Sequence, residues 1–283
     1  MDPDTDVVEV DDTGDVTEAP AEEQVVEVGV DPYSEERLET AAGNIPPAAM
    51  AAQGETNATV EKRLALLAQQ SKDGGHFEED RKWYEIEGQR VREAARRNNI
   101  SEAEFLEVVG LMSPRMKWDH TYKATGKQAF INIAAAEQAV KMHRQFPDLT
   151  AEQILKLPGV KEGHSGFDTS YRDAIHMLRG EDYKHGPKTF NFWHNLDDPE
   201  GTRDMVTIDS LMAAAIAGRP LQMKNKEDSQ LLGQITRKKT GEKSPGGYGW
   251  AQRRIHAVAK QIGITPQELQ AVVWSEWRRQ HPQ

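Results

Sequence analysis

Residues 186–218 read GPKTFNFWHNLDDPEGTRDMVTIDSLMAAAIAG. Pro187 fits the first turn of a helix, where its missing N–H leaves no gap and its fixed φ suits the geometry. Phe190, Trp193 and Leu196 follow at helical spacing. The acidic turn Asp197-Asp198-Pro199-Glu200 ends that run. Val206-Thr207-Ile208 then leads into Asp209, a side chain suited to cap a new helix. An apolar run carries that helix to Gly218, a residue suited to stop it. Two helices joined by a turn, with no period-2 alternation, predict an all-α fold.

The same pattern extends both ways. Thr59-Val60-Glu61 opens a helix through Leu64 and Leu67, and residues 76–97 read as one long charged helix marked by Phe77, Tyr84, Ile86, Val91 and Ala94-Ala95. Ser101-Glu102-Ala103-Glu104 is a capping box ahead of Phe105, Val108, Val109 and Met112. A long helix is expected over about residues 118–143. Thr150-Ala151-Glu152-Gln153 caps a short one that stops at Leu157-Pro158-Gly159. Asp168 to Ser170 can cap the next, which carries Tyr171, Ala174, Ile175 and Leu178. Residues 221–247, with Arg237-Lys238-Lys239-Thr240-Gly241 and Ser244-Pro245-Gly246-Gly247, read as a basic, mobile loop. The last helices are expected over residues 248–262 and 266–279, the second capped by Thr265 with Glu268. Trp274 and Trp277, with Val272 and Val273 nearby, are expected to pack inward, leaving Arg278 and Arg279 to face water or DNA.

Charge divides the chain. Of 283 residues with a net charge of −11, residues 1–40 hold 15 Asp or Glu against Arg37 alone, a net of −14. The remainder is mildly basic, at +3. Residues 1–56 therefore read as a disordered acidic tail, either solvating or folded back over a basic groove as a DNA mimic, with a helical domain over 57–283. There is no cysteine, which excludes disulfides, Cys-ligated zinc and iron–sulfur clusters. No run is basic and apolar enough for a signal peptide, and none is long enough for a membrane span. The expectation is a monomer in a bacterial cytoplasm, or in a host's cytoplasm if the chain is viral, with no membrane partner.

Three segments between residues 110 and 218 resemble, in order, the helix–hairpin–helix DNA glycosylase superfamily that includes endonuclease III. Leu111-Met112-Ser113-Pro114-Arg115, running into Asp119 and Tyr122-Lys123-Ala124-Thr125, is similar to the opening core helix and the loop that fills the gap left by a flipped base. Tyr171-Arg172-Asp173-Ala174-Ile175 with Gly186-Pro187-Lys188-Thr189-Phe190 resembles the two helices and hairpin that grip the DNA backbone. Val206-Thr207-Ile208-Asp209-Ser210 resembles the lead-in and catalytic Asp of the next helix. The same arrangement looks like that of actinobacterial phage proteins with this core.

The resemblance implies double-stranded DNA as partner, no cofactor and no metal. Asp209 would stabilise positive charge on the sugar, and Lys188 would be the nucleophile of a bifunctional enzyme. Ser113, Arg115, Lys184, His185, Gly186 and the basic Arg237, Lys238 and Lys239 would contact DNA. The expected activity is cleavage of the N-glycosidic bond of a damaged or modified base. Two alternatives stay open: a thymine-hypermodifying transferase on the same scaffold (similar to the alpha-glutamyl/putrescinyl thymine pyrophosphorylase group), and a non-catalytic DNA-binding protein. Departures from the family pattern are visible. Pro187 removes a backbone donor, the interval from Lys188 to Asp209 is about one turn long, and Leu211 stands where many members have histidine. Leu157-Pro158-Gly159-Val160, with Lys161, is a rival hairpin. Plainer readings also stand beside these: Asp209 as a helix cap only, Lys188 as a solvated or phosphate-contacting lysine, and Phe190, Phe192 and Trp193 as core.

Overall fold

The computed structural model describes residues 46–113, 131–158, 160, 168–222, 224–236 and 247–282. Among the described residues there are thirteen helices and no strand. They are α1 (Ala48–Ala52), α2 (Asn57–Asp73), α3 (Phe77–Asp80), α4 (Trp83–Arg97), α5 (Glu102–Met112), α6 (Ile131–Gln145) and α7 (Ala151–Ile154). After these come α8 (Asp168–Leu178), α9 (Pro187–Asp197), α10 (Ser210–Ala217), α11 (Lys226–Thr236), α12 (Gly247–Ile262) and α13 (Pro266–Gln280).

Local chemistry sets many of the ends. Ser101, Thr150 and Thr265 each accept from the backbone N–H three residues on, and Gln153 and Glu268 return the bond to the cap's own N–H. Each such cap contributes about 1 kcal/mol. Gly218 ends α10 in the left-handed region, at φ 70°, where a side chain would be strained.

The helices bury two cores. The first is built on α4, α5, α6, α8 and α9, with Phe105, Leu106, Met112, Tyr171, Ile175 and Leu196 among its members. The second joins the chain's outer parts: Met50, Val60 and Leu64 from the N-terminal side pack with Ile208, Met212, Trp250, Ile255 and Val273. Two lobes result, the middle of the sequence closing one and its flanks the other. Helix α9 is seated closely in the first lobe. A Cβ on Gly88 would stand 2.3 Å from the Leu196 carbonyl oxygen, and one on Gly110 would stand 2.7 Å from Trp193 Cβ. Helix α13 touches both cores, giving Ala271 to the first and Leu269, Val272 and Val273 to the second. Trp274 packs against both.

Three expectations are revised. The folded body begins before residue 57, because α1 is helical and Met50 is fully buried in the second core. Residues 76–97 are two helices, broken at Arg81-Lys82. Asp80 is pinned by Ser71 at 2.7 Å and by Arg279, while Arg81 pairs with Glu268 at 3.1 Å, so contacts distant in sequence set the break. Residues 226–236 are helical where a loop was expected. Asn225 Oδ1 caps the start by accepting from the N–H groups of Glu227 (2.8 Å) and Asp228 (3.2 Å), and Leu231, Leu232 and Ile235 are buried. Arg279 is exposed as expected and is at the same time tied to Asp80 and Glu276. The loop expected over residues 237–246, and the first part of the helix expected from residue 118, lie outside the described residues.

Candidate active site at the seam of the lobes

Lys188 stands in the first turn of α9 and Asp209 caps α10, so the two come from different lobes. Between them the chain runs through Met205-Val206-Thr207-Ile208, which is non-helical and buried. Buried backbone outside a helix must find partners elsewhere. Here side chains supply them. The Tyr248 hydroxyl donates to the Val206 carbonyl (3.0 Å) and accepts from the Ile208 N–H (3.0 Å). Asn191 Nδ2 donates to the same Val206 carbonyl at 2.9 Å. The Asn195 amide donates to Met205 O (3.1 Å) and Asn191 O (3.2 Å) and accepts from the Thr207 hydroxyl (3.2 Å). Lys188, Asn191 and Asn195 are spaced to share one face of α9. That face braces the approach to Asp209.

Both oxygens of Asp209 are engaged. Oδ1 accepts from the Met212 N–H at 2.8 Å, which makes the residue the cap of α10. Oδ2 accepts from the indole Nε1–H of Trp274 on α13 at 3.2 Å. The carboxylate is half-buried and its charge reaches its surroundings. Burial pushes the Tyr84 and Tyr248 hydroxyls well above their ordinary range, and the Asp209 charge adds to that, so both stay neutral. Lys188 is half-buried as well. Burial lowers the pKa of its amine and the Asp209 charge raises it, and burial prevails. A lysine with a lowered pKa is easier to find as the free amine, the form that can act as a nucleophile.

The expected hairpin is only partly turned outward. Lys184 is exposed. His185 instead reaches α5, where its Nε2 lies 2.6 Å from Glu107 Oε1, and the Tyr183 hydroxyl donates to the same oxygen. Burial works to raise the Glu107 pKa, but the bonds from His185 and Tyr183 outweigh it and hold the carboxyl below its ordinary value. Gly186 is exposed, with φ −85°, and a Cβ there would meet nothing within 4 Å. Among the described residues nothing requires glycine at that position. His194 is stacked on Trp193 at 3.6 Å, and its pKa is pushed down to about 4 by burial and by Arg203.

Ser113 follows the end of α5 and is 6% exposed, its hydroxyl without a hydrogen-bond partner among the described residues. Arg115, Lys161, Arg237, Lys238 and Lys239 lie outside the described residues. The structure thus places Lys188 within electrostatic reach of Asp209 and leaves Lys184 and Gly186, close to Lys188 in sequence, on the surface. Sequence reasoning did not find the frame of Asn191, Asn195, Tyr248 and Trp274. The first two were accessible, since they lie three and seven residues beyond Lys188 on one helical face.

Among the described residues no group of three or more His, Asp or Glu side chains is placed to hold a metal ion, and no helix is long and apolar enough to cross a membrane. Fold and site together define a two-lobed helical protein with Lys188 in the electrostatic field of Asp209 at its seam. Residues 47–281 match the model of a family of unknown function (DUF7178), and the chain belongs to that family. No curated protein and no solved structure matches it.

Proposed function

We propose that the chain acts on a base in double-stranded DNA as an enzyme of the helix–hairpin–helix glycosylase type, breaking the N-glycosidic bond of a damaged or modified base. One observation carries this reading. The Lys188 amine is half-buried, has a lowered pKa, and lies within electrostatic reach of Asp209. That pairing suits attack on a sugar carbon. The amine lone pair forms a bond to C1′ as the bond from C1′ to the base breaks. The base leaves with the bonding pair and takes up a proton. Asp209 stabilises the positive charge that develops on the sugar. The new ammonium gives up a proton, and the C1′–O4′ bond of the resulting N,O-acetal breaks as O4′ takes a proton, leaving a protonated Schiff base. Exposed Lys184 and the basic Arg237, Lys238 and Lys239 would meet phosphate.

The experiment is borohydride trapping on duplex oligonucleotides that carry uracil, oxidised purines or modified thymines, with mass spectrometry of the digested nucleosides. The expected result is abasic product and a covalent protein–DNA adduct that Lys188→Gln cannot form. Abasic product without an adduct would make Lys188 a phosphate-binding residue and water the nucleophile. A heavier nucleoside with its glycosidic bond intact would replace cleavage with group transfer. Binding with no product from any substrate would overturn the enzymatic reading.

A further inference from the structure

Helix α13 presents Gln267, Gln270 and Trp274 at positions that share one helical face; the first two bond to the first lobe and the third to Asp209 of the second. Gln267 Nε2 donates to the Asn195 carbonyl at 3.0 Å. Gln270 Oε1 accepts from the Tyr84 hydroxyl at 2.5 Å. Trp274 Nε1 donates to Asp209 Oδ2 at 3.2 Å. The indole is held from two sides, with the Trp83 ring centroid 5.5 Å away and the Arg278 guanidinium 4.7 Å from its own centroid. Its N–H therefore points in a fixed direction.

A cap bond to Oδ1 alone leaves the carboxylate free to swing about its Cβ–Cγ bond. The second bond removes that freedom. It comes from a helix that itself spans both cores, so the orientation of the carboxylate is tied to how the lobes meet. We infer that Trp274 is the positioning residue of the candidate site, fixing the plane of the Asp209 carboxylate. The inference deepens the proposed function and rests on it for the catalytic meaning of Asp209. The bond itself does not. Other groups that share the field of Asp209 are Lys188 from α9, Tyr84 from α4 and Tyr248 from α12, with Arg278 beyond the indole.

Trp274→Phe keeps a ring against Trp83 and removes the donor. The first measurement needs no substrate: a double-mutant cycle of unfolding constants over wild type, Trp274→Phe, Asp209→Ala and the double variant. A bond between the two side chains makes the losses non-additive by roughly tenfold. A tryptophan that only fills space would give additive losses. On a substrate cleaved by wild type, the variant should slow single turnover by tenfold or more. The DNA dissociation constant should be unchanged. If Trp274→Phe does not fold, the benzothienyl analogue of tryptophan at position 274 keeps the shape and replaces N–H with sulfur, and the same cycle decides. Additive losses in folded variants overturn the inference. If wild type cleaves no DNA, the proposed function fails, while the cycle still decides whether Trp274 holds Asp209.

Discussion

Lys188 is influenced by the charge of Asp209 although the two belong to opposite lobes, one in the first turn of α9 and the other at the cap of α10. A buried, irregular stretch separates them in sequence, and Tyr248 and Asn191 hold it by its backbone. The pair is thus a product of how the lobes meet. Changes to either residue should register in both stability and chemistry.

Asp209→Asn is the sharper of the two changes. As a cap, asparagine is about as good as aspartate. The cap is only half of the residue's bonding, however, because Oδ2 also accepts from Trp274. With its oxygen on the Met212 N–H, an asparagine would turn its NH2 toward the indole N–H and set donor against donor. We expect stability to fall by about 1–3 kcal/mol, the cost of a buried donor left unsatisfied. Adding Trp274→Phe should recover part of that loss. Activity on a proven substrate should fall by on the order of a hundredfold or more. Urea melts of the single and double variants check the first expectation, and single-turnover rates check the second.

Gly186→Ala tests the loop that precedes α9. The backbone there is ordinary for alanine and a Cβ would meet open space. Stability should therefore change by less than about 1 kcal/mol, mostly through the weaker cap. If a DNA backbone packs against this position, affinity for duplex should drop clearly. Lys184→Gln should lower the salt slope by about one. Binding unchanged in both variants would move the DNA contact elsewhere.

The helices and most of their caps were legible because their causes are local. Ser101 with Glu104, Thr150 with Gln153, and Thr265 with Glu268 lie within four residues of one another. The break at Arg81-Lys82 was not legible, because Arg279 and Glu268 lie far along the chain. Helix α11 was hidden too. Its buried Asp228 bonds Arg219 and the Gln222 N–H, partners that precede the helix and give no periodic signal. In the candidate site, the places of Asp209 and Lys188 at helix starts were legible, while their roles came only from the family resemblance. Tyr248 and Trp274 could not be, since only packing brings α12 and α13 to the seam.

Where folding begins along the chain is open to a pair of truncations. Removing residues 1–45 should leave the melting temperature nearly unchanged. It should also tighten duplex binding at low salt, because most of the acidic charge goes with it. Removing residues 1–56 should lower the melting temperature. That cut takes Met50, which is fully buried, and Glu55, which pairs with Arg63 at 2.6 Å. Met50→Ala in the full chain should cost about 2–5 kcal/mol. Equal melting temperatures for both truncations would show that α1 adds nothing to the second core.

Lys188 offers a test that needs no substrate, and its sign follows from the direction of its shift. In the unfolded chain the amine titrates near pH 10.4, in about its ordinary range. In the folded chain burial holds it lower, against the pull of Asp209. As the pH falls below the unfolded value, the unfolded chain takes up a proton that the folded chain does not yet accept. Lys188 thus opposes folding increasingly as the pH falls toward the folded value, and fully below it. Lys188→Met removes the amine and keeps much of the apolar stem. It should raise the urea midpoint at neutral pH, with an advantage that narrows as the pH approaches 10. Lys188→Arg should do the opposite, because a guanidinium cannot shed its charge in the same setting. A Met variant less stable than wild type at pH 7, or an advantage that grows with pH, would mean that the pairing with Asp209 prevails over burial. If the Met variant is the more stable one and is inactive on DNA, the native lysine is a residue that weakens the fold and serves the chemistry, the trade expected at an active site.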